Sequence, residues 1–425
     1  MNMFNKKEYS AREVFVPGGL PKLTYNPRKE LELEERLNDA KDNLCKLVMM
    51  TGSTKSGKTV LTNNVFPREK SIWFDGGSYS NDNDFWIDIA EQLDIYPDQS
   101  ISQGSDSSNQ LDGKLTGQKQ LLLFNMKSEL GAATVKKKSK STSSTRKGNP
   151  KTLAIQALRN KFRPLVIDDF HYLPRDKQGQ LVRAIKSLVF DGLPVIFIAI
   201  PHRKLDAVKV EREMTGRVEN IEVPVWKVDE LLEIPQKGFP LLNLEVDKRI
   251  IDRMAEEAIG SPHLIQEFCR ELCSMVEVKR TTKSKRAIKE TDVDLNSLFK
   301  KVAENTGKVI FDKLSKGPRQ RADRVRREMN NGLTTDIYGL VLYALAEIKP
   351  GLDTIDYETL RFKIREITKG TQPQAHEVSR VLDKMSQIAA SDEASTPVID
   401  WEKNDRLLHI TDPFFAYYLR WGLEN

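Results

Sequence analysis

A glycine-rich stretch at residues 52–59 reads Gly-Ser-Thr-Lys-Ser-Gly-Lys-Thr, which has the residue types and spacing of a phosphate-binding loop. Glycines allow consecutive backbone N–H groups to turn inward around phosphate oxygens, and the helix that follows directs the positive end of its dipole toward the same anion. Lys58 would then reach the β- and γ-phosphates of a nucleotide, and the Thr59 hydroxyl would ligate Mg²⁺. The predicted nucleotide-binding residues are Gly52, Ser53, Thr54, Lys55, Ser56, Gly57, Lys58 and Thr59.

Two carboxylates, Asp168 and Asp169, end the apolar run 165–167. A nucleotide site needs acids opposite its phosphate loop, one to hold Mg²⁺ and one to orient the attacking water. We assign the metal to Asp168 and the water to Asp169. Because aspartate is shorter than the glutamate usual at the second position, we expect slow hydrolysis. The alternative is an aspartate that only caps the turn after a buried strand.

Polar residues follow the next apolar run, 193–200, whose composition predicts a fully buried strand. His202 and Arg203 would lie at the carboxyl edge of the sheet, where a polar side chain can sense the γ-phosphate. The alternative for His202 is a loop histidine without a role. Arg217 precedes the last predicted strand, 218–225, and is a candidate to complete the site of a neighbouring subunit, with pairing to local glutamates as the alternative.

The elements that must position these residues alternate between strand and helix, as in a parallel α/β sheet. From residue 226 the strands are expected to stop, and apolar residues at helical spacing predict a small helical domain. Basic runs lie at 279–289 and 316–327. The predicted domains are a P-loop core at 1–225, a helical lid domain with a basic connector at 226–330, and a winged helix-turn-helix at 331–425.

The C-terminal segment contains three apolar-faced helices and then two short strands, 398–401 and 407–410, joined by a polar turn. Three helices and a hairpin are typical of a winged helix-turn-helix, whose third helix enters the major groove of DNA. Ser379, Arg380 and Lys384 would face outward on that helix. Winged helices also serve as protein contacts, so DNA and a protein partner both remain open.

A polar insertion at 97–150 interrupts the alternation of strands and helices. Its stretch 136–147 carries six positive charges and no acid. These charges either contact nucleic acid or belong to a solvated loop.

The amino-acid composition limits which classes of protein this chain can belong to. Charged residues make up 30% and hydrophobic residues 39% of the 425 residues, which is typical of a soluble protein. The net charge of +6 permits an acidic partner such as DNA without requiring one. The longest apolar run, 193–200, is far shorter than the roughly 20 residues of a bilayer-spanning helix, and we expect no membrane contact. Cys45, Cys269 and Cys273 make neither a disulfide framework nor a zinc site, which favours a reducing, cytoplasmic compartment.

The order of these motifs resembles the AAA+ and STAND classes of P-loop ATPases, particularly the prokaryotic group with origin-recognition-like architecture and a C-terminal winged helix. The resemblance covers most of the chain except 97–150. It implies that residues 52–59 are the Walker A motif. It also implies that Asp168 and Asp169 are the Walker B pair, similar to the double aspartate of STAND proteins.

The same resemblance implies further contacts to the nucleotide. Tyr25 and Arg28 belong to a segment that looks like the lining of the adenine pocket. The Gly-Ser-Pro that ends at Pro262 is similar to the STAND G-x-P motif, whose proline approaches the base. His202 or Arg203 falls where these families place sensor 1. The AAA+ sensor 2 arginine has no clear counterpart near the Gly-Ser-Pro, which again predicts inefficient hydrolysis.

Together these patterns predict an α/β P-loop NTPase of ASCE/AAA+ type, followed by a small helical domain and a winged-helix domain. The expected function is an ATP-driven, Mg²⁺-dependent conformational switch that forms homo-oligomers and acts on DNA, in replication, transposition or mobile-element and phage defence. The alternative is a STAND-like signalling scaffold with slow turnover that recognises a protein partner. A metabolic kinase is disfavoured by the winged helix and the absence of a small-substrate lid.

Overall fold

The structure is a computed structural model that describes residues 7–42, 45–95, 149–200, 216–319, 323–390 and 397–423. Nearly all of the predicted insertion and both sensor candidates, His202 and Arg203, lie outside the described residues. No helix in the described part of the chain is long and apolar enough to cross a membrane.

Five parallel strands from the first half of the chain form one sheet in the order β2-β3-β4-β1-β5. Leu47 in β1 lies opposite Val195 on one side and Val218 on the other. Strands β1 and β4 are buried along their whole length, so each is a nearly continuous apolar run, as predicted. The strands are Leu47–Gly52 (β1), Ile72–Asp75 (β2), Leu165–Asp168 (β3), Val195–Ala199 (β4) and Val218–Val223 (β5).

Helices cover both faces of this sheet, because successive side chains of each strand point to opposite sides. Leu47 and Met49 pack with α4, α5 and α6, whereas Val48 and Met50 pack with α2 and α3. The carboxyl ends of β1 and β3 reach the same edge of the sheet, where the predicted site residues lie. The helices are Ala11–Val14 (α1), Leu33–Asn38 (α2), Lys58–Val65 (α3), Asp82–Gln92 (α4), Pro150–Lys161 (α5) and Arg175–Phe190 (α6).

The region after residue 226 is mainly helical, but the expectation that strands stop there was wrong. Two three-residue strands, Leu244–Val246 (β6) and Arg286–Ile288 (β7), pair in parallel. β7 lies inside the predicted basic connector, and strands this short leave no alternating pattern in the sequence. The helices are Val228–Leu241 (α7), Lys248–Glu257 (α8), Pro262–Met275 (α9), Leu295–Thr306 (α10) and Lys308–Lys316 (α11).

The C-terminal region contains the three predicted helices and the predicted hairpin. A third strand, β10, joins the hairpin in the order β10-β13-β12, and three shorter strands form a separate antiparallel sheet, β11-β8-β9. The helices are Ile337–Ile348 (α12), Tyr357–Ile367 (α13), Ala375–Ala390 (α14) and Pro413–Trp421 (α15). The strands are Arg327–Met329 (β8), Thr334–Thr335 (β9), Thr354–Asp356 (β10), Thr368–Lys369 (β11), Ile399–Glu402 (β12) and Leu407–Ile410 (β13).

The helical and C-terminal regions share one continuous cluster of buried apolar side chains. The last helix, α15, joins them. The Tyr417 hydroxyl donates to the carbonyl oxygen of Phe299 at 3.0 Å, and the Trp421 indole donates to Glu257 at 2.8 Å. The predicted domain boundary between residues 330 and 331 stays a prediction, and these contacts show that the last two regions pack against each other.

Candidate nucleotide-binding site

The loop between β1 and α3 depends on two glycines for its path. A Cβ at Gly52 would lie 2.6 Å from the carbonyl oxygen of Val223 in the neighbouring strand, so a side chain has no room there. Gly57 has a φ of +92°, in the left-handed region that favours glycine, and directly precedes α3. The loop therefore passes close to β5 and turns sharply into the helix, as a phosphate-binding loop requires.

Lys58 begins α3, and its ammonium group turns back into the loop. Nζ donates to the carbonyl oxygens of Gly52 at 2.9 Å and Ser53 at 2.7 Å. Burial lowers the pKa of Lys58 to about 8, while the nearby carboxylates of Asp169 and Asp168 act in the opposite direction. Phosphate oxygens in this loop would add negative charge beside the ammonium group and favour its charged form.

Three carboxylates meet at the carboxyl edge of the sheet. Asp168 ends β3 beside Asp75 of β2, and the next residue, Asp169, has a φ of +50°. Burial raises the pKa of Asp168, whereas a hydrogen bond from the Thr59 hydroxyl lowers it. Burial and the charges of Asp168 and Asp75 raise the pKa of Asp169 to about 6. The half-buried carboxylates of Asp168 and Asp169, with the exposed Asp75 beside them, favour a cation at this edge.

The chemistry of these groups fits Mg²⁺, which prefers hard oxygen ligands and keeps several waters. The Thr59 hydroxyl and the Asp168 carboxylate are such ligands, and they already contact each other. Within the described ranges, no group of three or more histidine, cysteine or acidic side chains is arranged to hold a metal ion. Nucleotide oxygens and water would therefore have to complete the coordination shell.

A cavity of about 480 Å³ opens over the loop, a size in the range of small-molecule pockets. One end of it is formed by the loop and the acidic edge. The other end is formed by residues 16–28 and by the first turns of α9. Its lining includes Val16, Tyr25, Lys58, Asp169, Pro262 and His263.

The fold resembles that of a solved ATPase. The chain is similar to a Walker-type ATPase of Pyrococcus abyssi, with 16% sequence identity, a TM-score of 0.52, and coverage of 91% of this chain and 94% of that chain. The chain has the fold of a P-loop ATPase. The predicted fold class is thereby confirmed, and the nucleotide-binding role of residues 52–59 stays a prediction.

Two further solved structures resemble the chain. The ORC2 protein of Aeropyrum pernix in its ADP form has 14% identity and a TM-score of 0.49, with coverage of 94% of this chain and 93% of that chain. The ORC1 protein of Aeropyrum pernix in complex with DNA has 12% identity and a TM-score of 0.46, with coverage of 97% and 96%. No protein-family model and no curated protein sequence matches the chain.

Tyr25 and Arg28 line the cavity of this P-loop fold, but both are bound within the protein. The Tyr25 hydroxyl donates to Glu34 at 2.8 Å. The buried Arg28 guanidinium pairs with Glu230 at 2.9 Å and donates to the carbonyl oxygen of Pro224 at 2.8 Å. Arg28 therefore binds the N-terminal segment to α7 and to the link between β5 and α7.

The sequence patterns did not predict Trp226 as a site residue, although Trp226 contacts the Walker A loop. Its indole Nε1 donates to the carbonyl oxygen of Ser56 at 2.8 Å, and the Arg28 guanidinium lies over its ring at 4.8 Å from the centroid. Trp226 stands at the predicted start of the helical region. Its position at a domain boundary was the one feature of the sequence that could have marked it as a site residue. It connects the loop to the lid helices directly.

The C-terminal region also reaches the Walker A loop, which no sequence pattern indicated. The Thr54 hydroxyl donates to the carbonyl oxygen of Thr411 at 2.9 Å and lies 3.3 Å from the Asp412 carboxylate. The Lys55 ammonium group lies 5.5 Å from the centroid of the Phe414 ring. The start of α15 is therefore in direct contact with the phosphate loop.

The two remaining predicted site residues, Pro262 and Arg217, lie at opposite ends of the sheet's strands. Pro262 begins α9 beside the cavity, at a helix position where its missing N–H costs nothing. Arg217 lies at the amino edge of β5, next to Leu47 and on the opposite edge from the loop. Its guanidinium is over the exposed Phe190 ring, 5.6 Å from the centroid. Arg217 is therefore too far from the site of its own chain to act there.

Proposed function

We propose that this protein is an ATP-binding and ATP-hydrolysing conformational switch of AAA+/STAND type, which oligomerises and acts on DNA. The observation that carries the proposal is the hydrogen bond from Thr54 of the Walker A loop to Thr411, directly before α15. A ligand that rearranges the loop must also change this contact. The state of the nucleotide can thereby bias the position of the whole C-terminal region.

The roles of the site residues follow from their positions. Lys58 and the backbone of the loop would hold the β- and γ-phosphates, and Thr59 and Asp168 would hold Mg²⁺, which supplies charge neutralisation when bound. Asp169 lies beside them with a carboxylate that accepts protons more readily than usual, because of burial and its acidic neighbours. It is the candidate to orient the attacking water.

The position of Arg217 supports an oligomeric enzyme. It lies on an exposed edge remote from its own Walker A loop, so any nucleotide that it contacts would belong to another subunit. An arginine brought to developing phosphate charge from a second subunit is a common way to make hydrolysis depend on assembly. We therefore propose a homo-oligomer with shared sites.

Contact with DNA is proposed through the C-terminal helices and hairpin, which we interpret as a winged helix. Arg380 and Lys384 are exposed on α14, and Ser379 is half-buried beside them. Arg380 makes no ion pair with any residue that the structure describes, so its charge is available to a phosphate. Helix α14 would be the element that enters the groove.

A second candidate, a STAND-like scaffold that recognises a protein, is favoured by the basic run 316–327. Arg324 pairs with Asp336 at 2.6 Å and lies over the Tyr338 ring, and Arg327 pairs with Glu377 at 3.2 Å. These two arginines hold the C-terminal region together and are not free for DNA. The double aspartate is also compatible with slow turnover.

A salt titration of duplex DNA binding separates the two candidates. We expect wild-type affinity for a short duplex to change with Mg-ATP and to fall steeply between 50 and 200 mM salt, because phosphate contacts release counterions. Arg380→Ala should weaken binding and reduce the slope by about one, whereas Arg324→Ala should affect stability instead. Affinity that ignores ATP, or no binding at low salt, would favour the scaffold.

A further inference from the structure

We propose that His263 contacts the phosphates of the bound nucleotide and takes up a proton on binding, so that nucleotide affinity depends on pH. This inference rests on the proposed nucleotide binding and assigns a residue that the sequence motifs left out. His263 is the second residue of α9 and lines the cavity opposite the Walker A loop. The first turn of a helix also favours an anion, because its free N–H groups carry partial positive charge.

The ring of His263 is placed beside the loop by packing. It meets the Phe414 ring edge-on, with centroids 4.8 Å apart, and the Lys55 ammonium group lies over that same ring. A Cβ added at Gly18 would be only 3.0 Å from Cε1 of His263, so the N-terminal segment confines the imidazole from another side. His263 and Lys55 are therefore neighbours at the mouth of the phosphate loop.

His263 is chemically available, unlike the polar side chains around it. Gln266 accepts from the backbone N–H of Val16 at 3.1 Å and donates to Thr24 at 2.8 Å, and the side-chain amide of Asn26 donates to a backbone carbonyl at 3.0 Å. The ring nitrogens of His263 make no hydrogen bond to any described residue. The nearest carboxylate, that of Glu267, is 4.0 Å from Nε2. An imidazole on this wall can thus bind a ligand without breaking an existing bond.

The charges around His263 explain why it would respond to phosphate. Burial, followed by the positive charges of Lys55 and Arg270, lowers its pKa to about 4, so the ring is neutral at pH 7. Glu267 faces it from the same helix, and on the α15 side Asp412 is buried and hydrogen-bonded to the backbone N–H of Phe415. A polyphosphate between the loop and α9 would offset the two cations and favour the imidazolium form.

Binding of Mg-ADP, measured by titration calorimetry in buffers of different ionisation enthalpy, tests this inference. If binding moves the pKa of His263 to about 7, wild-type affinity falls about tenfold between pH 6 and pH 8, and binding takes up about half a proton at pH 7 and nearly a whole proton at pH 6. His263→Gln should lose most of this pH dependence. His376→Gln, which changes an exposed histidine on α14, should behave like wild type.

His263→Arg separates a ligand contact from a merely structural role. A permanent charge should give affinity near the wild-type value at pH 6 and hold it there up to pH 8. The inference is overturned if His263→Gln keeps the wild-type slope and proton uptake, or if His263→Arg still shows the slope. In either case, if wild type binds Mg-ADP and Lys58→Ala does not, the proposed nucleotide binding still stands. If wild type does not bind Mg-ADP, both the proposed nucleotide binding and the role of His263 are overturned.

Discussion

The Thr54 hydroxyl donates a hydrogen bond of 2.9 Å to the carbonyl oxygen of Thr411, which joins the phosphate loop to the C-terminal region across 357 positions of sequence. The bond is partly buried, and the Asp412 carboxylate beside it is held by the backbone N–H of Phe415. Any movement of the predicted phosphate loop away from the segment that begins α15 must therefore break this bond.

Thr54→Val should loosen the contact with the C-terminal region while keeping the backbone N–H that the loop offers to phosphate. The substitution keeps the shape but leaves the Thr411 carbonyl without its donor, which should cost about 1–2 kcal/mol of unfolding free energy. Denaturant unfolding measures this cost, and Thr371→Val, at an exposed position, is the matched control. Equal stability of the two variants would mean that the bond contributes nothing.

Asp169→Ala should bind ATP but lose turnover. Removal of a group that orients the attacking water typically slows the chemical step by about a hundredfold or more, whereas binding through the loop stays within about threefold. Steady-state hydrolysis and fluorescent-nucleotide binding measure the two effects. Asp405→Ala, in the exposed hairpin turn, should leave both unchanged. Turnover retained in Asp169→Ala would show that another residue orients the water.

His263 should make the nucleotide-free protein less stable in mild acid. Its folded pKa of about 4 lies below the ordinary value of 6.5, so the unfolded chain binds the proton first. The unfolding free energy of wild type should therefore fall as the pH drops through the window from about 6.5 to about 4, and between pH 7 and pH 5 this fall should exceed that of His263→Gln by about 2 kcal/mol. Chemical denaturation at pH 7 and pH 5 measures the difference. An equal loss of unfolding free energy in wild type and His263→Gln would contradict a lowered pKa of His263 in the folded protein.

Arg217 should act in trans. Arg217→Ala should keep nucleotide affinity, because the residue lies on the opposite edge of the sheet from its own loop, but should hydrolyse ATP slowly. Lys58→Ala should be inactive because it cannot hold the nucleotide. When the two variants are mixed, the intact Arg217 of one can serve the intact site of the other, and turnover should return. Arg249→Ala, at an exposed position, is the control. Mixtures that stay inactive would contradict shared sites.

The phosphate loop and the acidic edge could be predicted from the sequence because each is local. β1 and β3 are buried on both faces, so their apolar runs stand out, and the loop and Asp168 follow them directly in the chain. Helix α7 could not be predicted in this way. Pro235 and Pro240 lie inside it and argue against a helix in sequence, yet both are accommodated.

The contacts that complete the site depend on distant parts of the chain. Thr54 meets Thr411, and His263 meets Phe414, and neither pair has a spacing that a motif could record. Gly238 shows the same dependence, since a Cβ there would lie 2.3 Å from the Phe15 ring of the N-terminal segment. Contacts between residues that are distant in sequence depend on tertiary packing, which no local pattern records.

The distance between the core and the C-terminal hairpin, with and without Mg-ATP, tests the switch most directly. Fluorescent labels at Glu35→Cys on α2 and Asn404→Cys in the hairpin turn, in a Cys45→Ser background, report this distance at exposed positions. Mg-ATP should shift the energy transfer in otherwise wild-type protein and leave it unchanged when Lys58→Ala is added. Identical transfer with and without Mg-ATP, in protein shown to bind the nucleotide, would contradict the account.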